Sequence, residues 1–257
     1  MVGFRWVGLD LHSVPMDHER FLEVTGAELP EAAIRGELEE RGFAVLGGVL
    51  EGLELEALRQ AFEAVHGARE TRGTRHMEEL LRLDPDVSPG AEAFAGAVLA
   101  PRLLGAVQAL LDAPFRLLHF GGRDPLPGFG LQGLHTDWPP RGEAGPAVSV
   151  TALVLLDDFR PGGGATRVVP GSHRLPGGVP RRFAQPEDRH QGEVHVHARA
   201  GDVLVFSSHL WHGGTRNDTG EPRRVLQAQF VVRRNAPPGV AEPGPWLDGP
   251  SSYLVGG

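Results

Sequence analysis

Apolar residues recur at three- and four-residue spacing along LPEAAIRGELEERGFAVL (residues 29 to 46) and LELEALRQAFEAVHGA (53 to 68), with Glu and Arg between them. That spacing lays one apolar stripe along a helix and predicts two amphipathic helices. AEAFAGAVLAPRLLGAVQALLD (91 to 112) repeats the pattern, and Pro101 marks a break inside it, because proline lacks the N–H that would bond the preceding turn. RHMEELL, beginning at Arg75, reads as helix too.

Past residue 113 the texture changes. FRLLHF (115 to 120), AVSVTALVLLDDF (147 to 159), ATRVVP (165 to 170), EVHVHARA (193 to 200), DVLVFSS (202 to 208) and VLQAQFVV (225 to 232) are short, often β-branched and in places alternating. PGGG (161 to 164), PGSH (170 to 173), AGD (200 to 202) and NDTGEP (217 to 222) punctuate them as turns. Short strands with tight turns after a helical block predict a β-sandwich or barrel backed by helices. The tail from Asn235, rich in Pro and Gly and without periodicity, is either a coil wrapped on the core or disordered. No long linker divides the 257 residues, so one domain is expected.

Composition narrows the partners. Hydrophobic residues make up 40% of the chain, and no apolar run approaches the roughly 20 residues that cross a bilayer, so no membrane partner is expected. The first residues lack the basic region, apolar core and cleavage site of a secretory signal, which makes a cytoplasmic location the expectation. Net charge is −8 and the cations are scattered, which argues against nucleic acid and for a small-molecule substrate; oligomeric state stays open. The chain has no cysteine, and all 25 of its cations are arginine. Thiolate nucleophiles, disulfides, Cys-ligated metals, lysine Schiff bases and the phosphate-loop lysine are thereby excluded. His, Asp, Glu, Ser, Thr and Arg remain for chemistry.

His135-Thr136-Asp137 places an imidazole and a carboxylate on one face of an extended segment. Two such ligands suit a facial triad of two histidines and one carboxylate, which holds Fe(II) on one side and leaves the opposite positions open. Chance alone supplies about one His-x-Asp in a chain of this composition, so a distant third ligand has to be found. HLWHGGTRNDTGEPRRVLQAQF, about 75 residues on, offers His209 and His212. In extended chain these two face opposite sides, but parity does not say which faces inward. Elsewhere the alternating His195 and His197 read as an outer strand face, His76 and Glu78 as helix positions that do not meet, and His173 as part of the PGSH turn. No GxSxG nucleophile elbow occurs.

Taken in order, HTD at 135 to 137, GGGATRVVPGSH at 162 to 173, Gly201-Asp202 before a strand, and His212 followed at plus five by Asn217 and at plus eleven by Arg223 resemble the phytanoyl-CoA hydroxylase-like family of Fe(II)/2-oxoglutarate dioxygenases. The resemblance also takes in RGFAVLGGVLEGLELEALRQAFEA and spans about residues 35 to 233. It selects His212 over His209, whose plus-five and plus-eleven positions are Gly214 and Gly220. His209 then reads as a surface residue or a neighbour of the site.

The resemblance implies an α+β fold with a mainly β core: a double-stranded β-helix (jelly-roll, cupin-like) barrel flanked by N-terminal helices. Residues 1–257 would form a single dioxygenase domain, mainly helical over 1–112, jelly-roll with the metal site over 113–234, and a Pro/Gly-rich tail over 235–257. It implies Fe(II) on His135, Asp137 and His212, with 2-oxoglutarate as cosubstrate and O2 as oxidant. Arg223 would meet the distal carboxylate of 2-oxoglutarate, for which a guanidinium offers two parallel charge-assisted bonds. Arg224 would point the other way, into solvent.

His119, Thr136 and Thr151 stand near positions where the family contacts the cosubstrate, and Trp138 and Arg123 are candidates for the substrate. A lysine by which one family member contacts the cosubstrate has no counterpart in this chain. The implied outcome is hydroxylation of an unactivated C–H with release of succinate and CO2. The carboxylate of Asp137 occupies the place that related halogenases leave open for halide. The absence of a basic patch for CoA phosphates favours a small metabolite or biosynthetic intermediate. The alternative is a cupin-like metal- or ligand-binding protein or isomerase without oxidative turnover; zinc hydrolysis on the same ligands would leave Arg223 unexplained.

Overall fold

The computed structural model describes residues 22–23, 31–65, 69–71, 73–77, 90–143 and 145–235. The Pro/Gly-rich tail beyond Asn235 and Glu78 of the His76 pair lie outside them.

Among the described residues four α-helices form, α1 (Glu31–Arg41), α2 (Gly52–Val65), α3 (Ala91–Val98) and α4 (Pro101–Leu111). Each buries the apolar stripe its spacing defines: Ile34 and Leu38, Leu58 and Phe62, Phe94 and Val98, Leu103 and Val107. Pro101 opens α4 at a first-turn position, where its missing N–H breaks no intrahelical bond.

Two helical expectations fail. The 29 to 46 segment is not one helix, since α1 ends at Arg41 and β2 (Phe43–Leu46) follows. Gly42 between them sits at φ 84°, and a Cβ there would lie 2.3 Å from Nδ1 of His173. Only glycine fits that turn. FAVL, buried on both faces, then pairs with a strand instead of continuing the helix. Of RHMEELL, Arg75, His76 and Met77 fall in a strand, β4 (Thr74–Met77), paired with β3 (Arg69–Thr71) on one side and β5 (Phe115–Pro125) on the other.

The remaining strands are β1 (Leu22–Glu23), β6 (Ser149–Leu155), β7 (Thr166–Val168), β8 (Val194–His197), β9 (Val203–Ser207), β10 (His212–Gly214) and β11 (Val225–Val232). Among the described residues the strands make two sheets, a large one in the order β2-β9-β6-β11-β5-β4-β3 and a small one in the order β1-β8-β7-β10. Every pairing is antiparallel except β1 with β8. Neither sheet closes on itself, so the jelly roll is two facing sheets, with mostly sheet and an outer layer of helices.

Strand alternation assigns the faces of the large sheet. Leu226, Ala228 and Phe230 of β11 share a core with Phe94, Leu103 and Val107 of the helices. Leu153, Leu155, Phe206 and Val225 face the other way and share a second core with Val168 and Val196 of the small sheet. A bulge in β5 at Leu118, where the register shifts between Gln229 and Phe230, lets Leu117 face the helices while His119 shares the inner face with Gln229. Among the described residues no single helix is long and apolar enough to cross a membrane.

Candidate metal centre

His135 and His212 stand directly opposite each other in an isolated antiparallel bridge, exchanging N–H···O bonds of 2.9 and 3.0 Å. Opposed residues in such a pair project to one side, and the two imidazole centroids are 4.3 Å apart. Asp137, two residues along, is fixed by its N–H bond to the Ser208 carbonyl at 2.9 Å. The three side chains bring a ligand atom each to within 4.8 Å of one another. Nε2 of His212 lies 3.5 Å and Nε2 of His135 lies 3.7 Å from the Asp137 carboxylate.

The donor chemistry fits a divalent cation. Nδ1 of His135 is 3.0 Å from the Gly133 carbonyl, and Nδ1 of His212 is 2.9 Å from the Leu210 carbonyl. A carbonyl only accepts, so each Nδ1 carries the hydrogen and each neutral ring presents the Nε2 lone pair to the cluster. Burial is the main cause that pushes His135 down to about 4; the proximity of His212 adds to it, while Gly133 and Asp137 oppose. Burial alone would raise Asp137, but His212, His135 and the Thr151 hydroxyl together hold it well below the usual carboxylate range. His212 is pushed down by burial yet lifted further by Asp137, so its net shift is upward. A cation in the cluster would take the place of a proton on His212 Nε2, which Asp137 favours.

Beside the cluster opens a pocket, with Leu153, Phe206 and Val225 as apolar wall and Arg123, Arg223 and Gln227 among its polar lining. Arg223 is 6% exposed, its guanidinium carbon stands 4.6 Å over the Phe159 ring, and Nη2 donates to Thr166 Oγ1 at 3.3 Å. Its Nε has no partner among the described residues, which leaves a buried guanidinium with donor capacity to spare. Burial first, then Arg123, push it down to about 10 against the pull of Asp124, so it remains charged at neutral pH.

Asn217, the plus-five residue, is fully buried and does not face the pocket: it ties the loop before Arg223. Its Nδ2 donates to the Pro125 and Glu221 carbonyls at 3.2 and 3.0 Å, and its Oδ1 accepts from the N–H and hydroxyl of Thr219. Arg224 does point away, as alternation requires, but it is not merely solvated. It makes bonds of 2.8 to 2.9 Å to Asp157 and one of 2.7 Å to Glu63.

The other nominated residues are distributed as follows. Arg123 lines the pocket. His119 faces the same side, opposite Gln229, whose Nε2 donates to the Asp137 carbonyl at 3.0 Å. Thr151 is fully buried, and its hydroxyl is bonded to Asp137 Oδ2 at 2.8 Å. The Thr136 hydroxyl turns back to the Trp138 carbonyl at 2.9 Å, as a short local bond in a turn. Trp138 is half-buried, held by its N–H to Ser208 at 3.1 Å, and is not part of the pocket lining.

His209 is not a surface residue. It is 6% exposed, and burial first, then Arg141 and His173, push it down to about 4 against the pull of the Pro139 carbonyl. Sequence reasoning missed Gln132, Phe206 and Gln227 in the lining. Inward parity on the strands would have found Gln227, whereas nothing local marked Gln132.

The profile of the phytanoyl-CoA dioxygenase (PhyH) family matches residues 38–225. The chain belongs to that family. An uncharacterized protein of Mycobacterium tuberculosis is 30% identical over 206 residues, covering 74% of this chain and 71% of its own length. A dioxygenase of Alternaria alternata is 26% identical over 253 residues, covering 87% and 78%.

Among solved structures, HygX from Streptomyces hygroscopicus, with nickel, 2-oxoglutarate and hygromycin B bound, superposes with a TM-score of 0.65 at 23% identity, covering 80% of this chain and 92% of its own. The epimerase SnoN, in complex with Fe3+, alpha ketoglutarate and nogalamycin RO, gives 0.61 at 21% identity, covering 83% and 92%. These likenesses show a shared fold.

Proposed function

We propose that this chain is one Fe(II)/2-oxoglutarate-dependent oxygenase domain acting on a small molecule, with His135, Asp137 and His212 as the iron ligands and Arg223 as the anchor for 2-oxoglutarate. The observation that carries this reading is the convergence of two Nε2 atoms and one carboxylate within 4.8 Å, beside a pocket that also holds a buried arginine with a free Nε–H. Bound iron and 2-oxoglutarate would supply activation of dioxygen, the cosubstrate leaving as succinate and CO2.

The residues of this chain do the rest. The carbonyls of Gly133 and Leu210 fix the tautomers of the two histidines, and Thr151 and Gln229 fix Asp137. Arg223 accepts a carboxylate end in the apolar depth of the pocket, where charge-assisted bonds are worth about 1.5–3 kcal/mol each. Leu153, Phe206 and Val225 keep water from that end. His119, on the same inner face, is proposed to border the cosubstrate, and Arg123 and Trp138 to meet the substrate.

Hydroxylation of an unactivated C–H is the reaction we favour. The same fold carries an epimerase in SnoN and a carbocyclase in SnoK, so other outcomes of hydrogen abstraction belong in the same test. Succinate released from 2-oxoglutarate over a panel of small metabolites, with products followed by mass, checks it. Turnover above a His135→Ala control, with a product heavier by one oxygen, is the expected result; no succinate above that control would favour a binding protein without oxidative turnover.

A further inference from the structure

Among the described residues the pocket lining holds two guanidinium groups, Arg123 and Arg223, and one carboxylate, Asp137. Asp124 follows Arg123 directly in β5, and alternation turns it to the opposite face of the sheet. There it is 2% exposed and occupied by Arg75 through two nitrogens. Asp124 also accepts the main-chain N–H of Arg223. Among the described residues no hydrogen bond or ion pair engages the Arg123 guanidinium.

Register adds a second basic group. His76 of β4 pairs directly with Arg123 of β5, which in turn pairs with Val225 of β11, a pocket-lining residue. Directly opposed residues share a face with Cβ atoms about 4.5–5.5 Å apart, so His76 stands on the pocket face beside Arg123. Arg123 is near enough to Arg223, His135 and His212 for its charge to disfavour their protonated forms. Its own position, half-buried on the β4 side of the pocket, differs from that of Arg223, which is enclosed against Phe159 and Thr166.

On the reading of this pocket as an iron/2-oxoglutarate site, Arg223 meets the distal carboxylate and the cation with Asp137 meets the keto-acid end. Arg123 is then a cation with no counterion among the described lining residues, and desolvating it under a bound substrate is costly unless that substrate brings an anion. We infer that Arg123, with His76 beside it, is an oxyanion-binding subsite for the primary substrate, which carries a carboxylate, sulfate or phosphate group. The subsite and the cosubstrate anchor are separate: one arginine selects the substrate, the other holds 2-oxoglutarate.

The test uses the full chain loaded anaerobically with Fe(II) and 2-oxoglutarate, so that Arg223 is occupied and no turnover takes place. Its visible charge-transfer band is recorded first; absence of that band in the wild-type protein counts against the cosubstrate reading and is seen before any further anion is added. Acetate and sulfate are then titrated by calorimetry. Expected are saturable binding of at least one of them, a loss of tenfold or more in Arg123→Gln, and a 2-oxoglutarate affinity in that variant within about twofold of wild type.

An Arg123→Gln variant that binds the anions as wild type does would overturn the inference, as would a flat titration in wild-type protein whose band forms normally. If the variant instead loses tenfold in 2-oxoglutarate affinity, Arg123 is a cosubstrate contact and the substrate-anion assignment is wrong. Thermal unfolding of the variant checks that it folds, and Arg123→Lys, which keeps the charge, should recover part of the binding.

Discussion

The hydroxyl of Thr151 donates a 2.8 Å hydrogen bond to Oδ2 of Asp137, joining the middle of β6 to the carboxylate of the candidate metal centre. The same hydroxyl lies 3.0 Å from that of Ser208, which itself meets Ser149 at 2.9 Å. A row of buried hydroxyls thus orients one carboxylate. Removing an outer partner of a metal ligand costs about 10–100-fold in metal affinity. Thr151→Val should therefore weaken binding of Fe(II) or Co(II) by that factor while the chain stays folded, as read by metal titration beside circular dichroism.

Arg223 and Arg224 are adjacent and should behave oppositely. Two lost charge-assisted bonds, about 3–6 kcal/mol together, correspond to at least a hundredfold loss of 2-oxoglutarate affinity in Arg223→Met. Metal affinity should be unchanged there. Arg224→Met breaks the contacts to Asp157 and Glu63 and should lower stability without moving the 2-oxoglutarate Kd. Paired calorimetric titrations check both.

Asn217 acts on Arg223 through the chain between them. Asn217→Ala leaves the buried Pro125 carbonyl without its donor, a loss of about 1–3 kcal/mol, and also releases the less buried Glu221 carbonyl and Thr219 hydroxyl. The melting temperature should fall by several degrees, at about 2–4 °C per kcal/mol for a chain of this size. The 2-oxoglutarate Kd should rise with metal affinity spared. Equal losses of both would mean that the loop does not specifically serve Arg223.

Gly213 packs where a side chain cannot. A Cβ there would come within 2.9 Å of the Gly133 carbonyl oxygen and 3.1 Å of that of Gln132, both main-chain atoms of the segment leading to His135. Gly213→Ala should push that segment off β10 and part the two histidines, lowering metal affinity more than it lowers stability. Titration and thermal unfolding of the same sample give the comparison.

His173 and His209 set an acid limit. Both are 6% exposed and pushed down to about 4 by burial, with Arg141 adding in each case; their backbone acceptors at Glu39 and Pro139 oppose. Unfolded, they titrate near 6.5. Between about 6.5 and 4 the unfolded chain therefore binds more protons than the folded one, so stability is full above that window and lost as pH falls through it. In metal-free protein, urea unfolding at pH 7.5, 6 and 5 should show this decline, and His173→Gln with His209→Gln should flatten it. An unchanged slope in the double variant would place the acid sensitivity elsewhere.

What was legible in the sequence follows from what is local. Offsets of five and eleven residues separate His212 from His209 because they measure a single turn and the start of β11, whose lengths are fixed. Alternation separated Arg223 from Arg224 for the same reason. FAVL and RHMEELL misled because short apolar or mixed segments fit either periodicity, and pairing with β9 and β5 decided them. The roles of Thr151 and Thr136 depended on which group each hydroxyl reaches, Asp137 across the sheet or Trp138 next door, and spacing does not encode that. The opposition of His135 and His212 in one bridge is a long-range pairing, evident only once β10 is in place.

The proposed activity rests on iron and 2-oxoglutarate meeting at His135, Asp137, His212 and Arg223, and one measurement addresses that directly. Metal-free protein is mixed anaerobically with one equivalent of Fe(II) and excess 2-oxoglutarate, and the visible spectrum is recorded. Wild-type protein should develop the weak metal-to-ligand charge-transfer band of a chelated keto acid; His135→Ala should not, and Arg223→Met should need far more 2-oxoglutarate. A folded wild-type protein that binds the iron yet gives no such band at saturating 2-oxoglutarate would contradict the account.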